Sequence, residues 1–162
     1  MSKIVCFGEV LWDVFPKHKK IGGAPLNVAL RLQTFQNEVA LISCLGDDKL
    51  GNELLLELQK HRISSLYIQK IKAYKTSTVS ISLDKNGSAS YFINHPCAWD
   101  NIQVNDKLNS LVKSSEAFIF GSLIARSNTS RNTLLKLLTV SKFSVFDVNL
   151  RPPHYDISSI QV

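Results

Sequence analysis

Short apolar runs alternate along this chain with stretches in which apolar residues return every three or four positions. Residues 3–7 form an apolar run that predicts a buried strand. Val28, Leu32 and Phe35, with Ala29 beside them, predict one apolar face of a helix over about residues 25–36. A second apolar strand is predicted over 38–43. A helix follows in which Leu50, Leu54, Leu55 and Leu58 share a side and Asp48 stands as the N-cap. Residues 66–71 read as a third strand. Further on, Val104, Leu108, Leu111 and Val112 give a short amphipathic helix, followed by a strand over 117–120, a helix over about 130–139 and a strand over 143–148.

One segment breaks this rhythm. Val79, Ile81 and Leu83 alternate with Thr78, Ser80 and Ser82, the two-residue period of a half-buried strand. Asn86-Gly87 then supplies a tight turn, and residues 89–93 return, so a β-hairpin is predicted over 76–93. Repeated strand–helix units imply an α/β fold with a parallel sheet, right-handed crossovers and helices on both faces. The hairpin falls outside that plan and is expected at a sheet edge or over a site.

With 162 residues, the chain is long enough for one domain with a real core but short for two. Hydrophobic residues at 44% and charged residues at 20% fit a soluble globular protein. No apolar run approaches the roughly 20 residues that span a bilayer, and Met1-Ser2-Lys3 leads straight into a strand-like run. A cytoplasmic protein without a membrane partner is therefore expected. Cys6, Cys44 and Cys97 form no C-x-x-C pair and read as reduced thiols, and the four histidines lack metal-ligand spacing, so no metal site is predicted. The formal charge of +6 raises the question of nucleic acid. The basic runs at Lys17-His18-Lys19-Lys20 and Lys60-His61-Arg62 lack interleaved aromatics that could stack on bases, so they read as solvated surface.

Gly22-Gly23-Ala24-Pro25-Leu26-Asn27 carries more chemistry. Two glycines let a loop backbone come close to a ligand, and Pro25 suits the first turn of a helix. Such a helix N-terminus welcomes hydroxyls or anions, and Asn27 adds an amide that both donates and accepts. Asp13 follows the first strand, where a carboxylate can accept hydrogen bonds from adjacent hydroxyls or simply form a turn. Leu11-Trp12 reads as core. Trp99, in a polar loop after Pro96, could flank a sugar ring or plug the rim of the sheet. Asn149 and Arg151 lie just past the last strand, where a guanidinium can clamp phosphate oxygens or hydroxyls, or stand as a surface arginine. Gly46-Asp47-Asp48-Lys49-Leu50-Gly51 has the glycine spacing of a phosphate loop. Asn52 and Glu53 stand where that loop needs Lys and Ser or Thr, so it is a capped helix start instead. No G-x-G-x-x-G follows the first strand, which removes a dinucleotide-binding reading.

Taken in order, Gly8-Glu9-Val10-Leu11-Trp12-Asp13, the Gly22-to-Leu30 stretch, Gly46-to-Gly51, Ala98-Trp99-Asp100 and Phe146-to-Pro153 resemble the N-terminal half of the PfkB (ribokinase-like) carbohydrate kinases, and among them the fructokinases. The resemblance runs from about Lys3 to Tyr155. It implies a ribokinase-like sheet with lid elements at about 11–22 and 76–100, and ATP-dependent phosphorylation of a sugar hydroxyl, with fructose or a related hexose as the acceptor. It implies Asp13, Gly22, Gly23, Asn27, Trp99, Asn149 and Arg151 as substrate contacts, with Arg151 also a phosphate clamp. ATP and Mg²⁺ are implied for the full-length enzyme, neither bound firmly by this stretch, and a homodimer through the lid is a possible assembly. The family's Asp-Thr-x-Gly-Ala-Gly-Asp motif, which carries the catalytic base, and its Asn-x-x-Glu do not occur here. No catalytic residue is therefore expected in this chain. A truncated, inactive module that only binds sugar or associates with other proteins is the alternative.

Overall fold

The computed structural model describes residues 2–83 and 89–155. Five strands form a wholly parallel sheet. These are β1 (Lys3–Phe7), β4 (Glu38–Gly46), β5 (Ile68–Ile71), β8 (Ala117–Gly121) and β9 (Ser144–Asp147), in the order β5-β4-β1-β8-β9. The period-2 alternation of β1 sends Val5 and Phe7 to one face and Cys6 to the other. Helices α1 (Ala24–Thr34) and α2 (Lys49–Lys60) cover the Cys6 face through Leu26, Ala29, Leu54 and Leu58. Helices α3 (Asp106–Ser114) and α4 (Asn128–Leu138) cover the opposite face through Leu108, Leu111, Leu134 and Leu137. The expected α/β plan is therefore present, with two apolar layers sandwiching the sheet.

A second sheet contains β2 (Leu11–Val14), β3 (Lys19–Gly22), β6 (Thr78–Leu83) and β7 (Ala89–Ile93), ordered β3-β2-β6-β7. The predicted hairpin is its β6–β7 half, with Val79 opposite Ile93 and Ser80 opposite Phe92. Its Asn86-Gly87 turn lies outside the described residues. Strands β2 and β3 are not evident from the sequence, since each has only four residues and β3 begins in the basic run. Strand β2 runs parallel to β6, with Asp13 beside Val79 in the register. This pairing draws the hairpin toward the ends of the main sheet.

The Gly46-to-Gly51 segment is the capped helix start expected of it. The Asp48 carboxylate accepts from Gly51 N at 2.8 Å and from Thr76 N at 2.9 Å, tying the start of α2 to the entrance of β6. Cys6, Cys44 and Cys97 are buried free thiols, pushed up to about 12 by burial. Among the described residues, no helix is long and apolar enough to cross a membrane.

Candidate active site

A cleft of about 320 Å³ opens where the carboxyl ends of β1, β8 and β9 meet the inner side of the second sheet. Ligands gather at strand carboxyl ends in open α/β sheets because the connecting loops diverge there and leave room. The cleft is lined by Asp13, Gly23, Asn27, Asn149 and Arg151, five of the seven residues expected from the sequence. They come from three separate stretches of chain, so only folding brings them together. Leu11, Val79 and Ile93 supply apolar walls.

Asp13 is half-buried on β2, and burial raises its carboxyl above the ordinary value. Gly22 faces Leu11 across the β2–β3 ladder. A Cβ at Gly22 would overlap the Asp13 carboxylate, so Gly22 supports the site by leaving room for Asp13. Gly23 has φ 115, a conformation open to glycine, and a Cβ there would overlap the Glu9 carbonyl. The double glycine thus lets α1 begin against the end of β1. Asn27 sits in the first turn of α1, its N–H held by the Gly23 carbonyl at 2.9 Å and its side chain exposed.

On the far side, the Ser122 hydroxyl donates to the Asn149 carbonyl at 3.3 Å, and Asn149 N donates to the Asp147 carboxylate at 3.3 Å. These bonds hold the strand exit of β9 against the end of β8. Arg151 follows as an exposed side chain on the cleft.

Trp99 lies elsewhere. It is fully buried in the core cluster beneath α3 and α4, with the Arg126 guanidinium 3.9 Å from its ring centre. Its place corrects the expectation of a sugar contact and matches the other option, a plug packed at the rim of the sheet. Leu11 and Trp12 are buried as expected, although Leu11 also reaches the cleft. The helix N-terminus is also less open than the sequence suggests. Gly23 offers no capping side chain, and the Ala24 N–H is taken at 3.1 Å by Glu9 Oε1.

Glu9 is the residue that the sequence reading misses. It is 4% exposed, lines the cleft, and its Oε2 has no hydrogen-bond partner among the described residues. Burial pushes its carboxyl up to about 7; bonding to its own N–H and that of Ala24, and the charge of Arg126, oppose this, and Asp147 adds to it. The available signal was a charged residue inside the otherwise apolar stretch from Val5 to Trp12. Among the described residues, no group of three His, Cys, Asp or Glu side chains could hold a metal ion.

A parallel α/β sheet with a polar cleft at its strand ends, faced by a second small sheet, is the arrangement in which open α/β folds seat small ligands. The chain belongs to the pfkB family of carbohydrate kinases, whose model matches residues 1–161. It is 36% identical over 164 residues to a Pyrococcus horikoshii protein named as a sugar kinase, covering 91% of this chain and 52% of that protein. The crystal structure of that kinase in complex with ATP superposes with a TM-score of 0.80 at 30% identity, covering 94% of this chain and 55% of that one. The fructokinase of Solanum tuberosum is 30% identical, with 93% of this chain and 52% of that protein covered. The structure of Halothermothrix orenii fructokinase gives a TM-score of 0.83 at 25% identity, covering 96% of this chain and 60% of that one. The fold is therefore ribokinase-like, and the chain spans about half the length of the curated relatives it matches.

Proposed function

We propose that this chain forms the sugar-acceptor half of an ATP-dependent carbohydrate kinase acting on a hydroxyl of fructose or a related hexose. The convergence of Asp13, Asn27, Asn149 and Arg151 on one cleft carries this reading. A carboxylate accepts from vicinal hydroxyls, an amide both donates and accepts, and apolar walls meet the C–H faces of a sugar ring. Phosphoryl transfer has a loose transition state, so the protein's part is chiefly to position the acceptor and neutralise charge. Asp13 and Asn27 position; Arg151, exposed at the mouth, is placed to meet phosphoryl oxygens. ATP supplies the phosphoryl group, and the ATP complex of the P. horikoshii relative supports this choice of donor.

In this reading strands β2, β3, β6 and β7 act as a lid over the bound sugar. Phe92 on the outer sheet is 68% exposed and offers an apolar surface to a second copy of the chain.

Calorimetric titration of the chain with fructose tests the proposal. The wild type binds, and Asp13→Ala weakens binding by about 1–3 kcal/mol, the cost of leaving buried hydroxyls without an acceptor. Equal affinity in the two proteins would remove Asp13 from the site.

A further inference from the structure

Glu9 combines three features that a merely structural carboxyl does not need. It is nearly inaccessible, it forms part of the wall of the cleft, and one of its two oxygens is left without a partner. A buried polar atom without a hydrogen bond costs free energy comparable to the lost bond, so such atoms persist where a ligand or water completes them. Glu9 Oε1 is already engaged by Ala24 N at 3.1 Å. That leaves Oε2 as the atom to be completed.

We propose that Glu9 is a specificity-determining residue of the cleft, whose neutral carboxyl donates a hydrogen bond from Oε2 to a hydroxyl of a neutral polyhydroxy ligand. The inference rests on the sugar-binding reading of the cleft and adds to it a residue and a protonation state.

The neutral form follows from the surroundings. Among the described residues no cation pairs directly with Glu9, and a buried carboxylate without a counterion is far costlier than a buried acid. Four charged groups face it from other elements. Arg126, from the turn after β8, favours ionisation, but its guanidinium is committed to Asp100 at 2.7 Å. Asp147 at the end of β9 opposes ionisation. Asp13 on β2 and Arg151 beyond β9 share the cleft with it. Burial outweighs the rest and pushes the Glu9 carboxyl up to about 7. With Oε1 accepting from Ala24, the proton resides on Oε2.

A donor there has a consequence for ligand class. Asp13 accepts and Glu9 donates, so a hydroxyl group, which does both, is matched at either carboxyl. A ligand carboxylate or phosphate pressed against the same wall meets Asp13 as a like charge, with Arg151 as the one cation lining the cleft among the described residues. The cleft selects neutral polyols on these grounds.

The test is the pH dependence of fructose binding, measured calorimetrically on the whole chain between pH 6 and pH 8.5. In the wild type, affinity falls by about tenfold or more over this range, because only the fraction carrying the neutral acid is competent to bind. Glu9→Leu, similar in size but without a polar group, loses at least about tenfold at pH 6. Glu9→Gln, whose amide keeps both a donor and an acceptor, rescues that loss and removes the pH dependence. Circular dichroism melting of each variant confirms that it is folded, and Glu9→Gln carries the test if Glu9→Leu is not. Wild-type binding that Asp13→Ala weakens, but that neither pH nor Glu9→Gln alters, overturns the role of Glu9 and leaves the sugar reading intact. A wild type that binds no fructose at either pH overturns both.

Discussion

Arg126 lies over Trp99, its guanidinium carbon 3.9 Å from the ring centre, and holds Asp100 with Nε at 2.7 Å and Nη2 at 2.9 Å. The same Nη2 donates to the Asn94 carbonyl at 2.7 Å. The Arg126 side chain is 3% exposed and the Asp100 side chain 1%. One guanidinium thus ties the loop that leaves β7 to the turn after β8, two of the segments that frame the cleft.

Breaking that pair is expected to be costly. Arg126→Met leaves the Asp100 carboxylate buried without its counterion and destabilises the chain by about 3–5 kcal/mol. The double variant Arg126→Met with Asp100→Leu recovers a large part of that loss, since no lone charge remains. Urea unfolding measures both, and an Arg126→Met within 1 kcal/mol of wild type would show that the pair does not hold these turns together.

Trp99, fixed in the core by this contact, should not read out the ligand. Trp99→Phe keeps fructose affinity within about twofold of wild type, the change expected for a residue that makes no ligand contact, while lowering the melting temperature. A tenfold loss of affinity in a folded Trp99→Phe protein would return Trp99 to the site.

The difference between Trp99 and Asp13 shows what the sequence could reveal. Asp13, Asn149 and Arg151 stand just past strand signals and Asn27 in the first turn of a helix, places where ligands gather in α/β sheets, but the residues alone left site and structural roles open, and the family resemblance decided between them. The buried strands and helices were legible because both faces of a sandwiched sheet impose strict periods. Trp99 was ambiguous because its place depends on Arg126, 27 positions away. Strands β2 and β3 carried no periodic signal, since they are short and β3 is mostly exposed. Glu9 was hidden for a different reason. Its partner, the Ala24 N–H, appears only once α1 docks against the end of β1.

The two glycines should fail in different ways when changed. Gly23→Ala forces a Cβ into the Glu9 carbonyl at a φ that alanine avoids, and should cost about 1–3 kcal/mol of stability. Gly22→Ala meets no backbone, only the movable ends of the Asp13 and Leu11 side chains, so stability changes by less than about 1 kcal/mol. Its effect should appear in ligand affinity, because the carboxylate is displaced. Paired melting and titration of both variants checks this, and an unimpaired affinity in Gly22→Ala would separate Gly22 from the site.

Asp48 makes a prediction at acid pH. Burial raises its carboxyl, but hydrogen bonds from Thr76 and Gly51 outweigh that and bring it below the ordinary value. A carboxyl lowered in the folded state contributes stability above its unfolded pKa and loses it as the pH falls through the folded one. Asp48→Ala should therefore cost about 0.5–2 kcal/mol at pH 7, the usual loss of an N-cap, and less at pH 3. Melting at the two pH values reads the difference, and an equal loss at both would sink the assignment.

Glu9 shifts stability with the opposite sign, in a window nearer neutrality. Its carboxyl stands at about 7 in the folded chain against an ordinary value of 4.5. Between those values the folded state holds a proton that the unfolded state has released, so stability falls as pH rises. The contribution is fully present below about 4.5 and is lost as pH rises through about 7. At most it is on the order of 3 kcal/mol. Burial lowers the pKa of His154, which works in the reverse direction near the same pH, so the wild-type profile alone is not diagnostic. The difference between wild type and Glu9→Gln isolates the carboxyl. The ligand-free wild type should lose stability relative to Glu9→Gln from pH 5 to pH 8, and parallel stability curves for the two proteins would mean that Glu9 is ionised in the folded chain throughout.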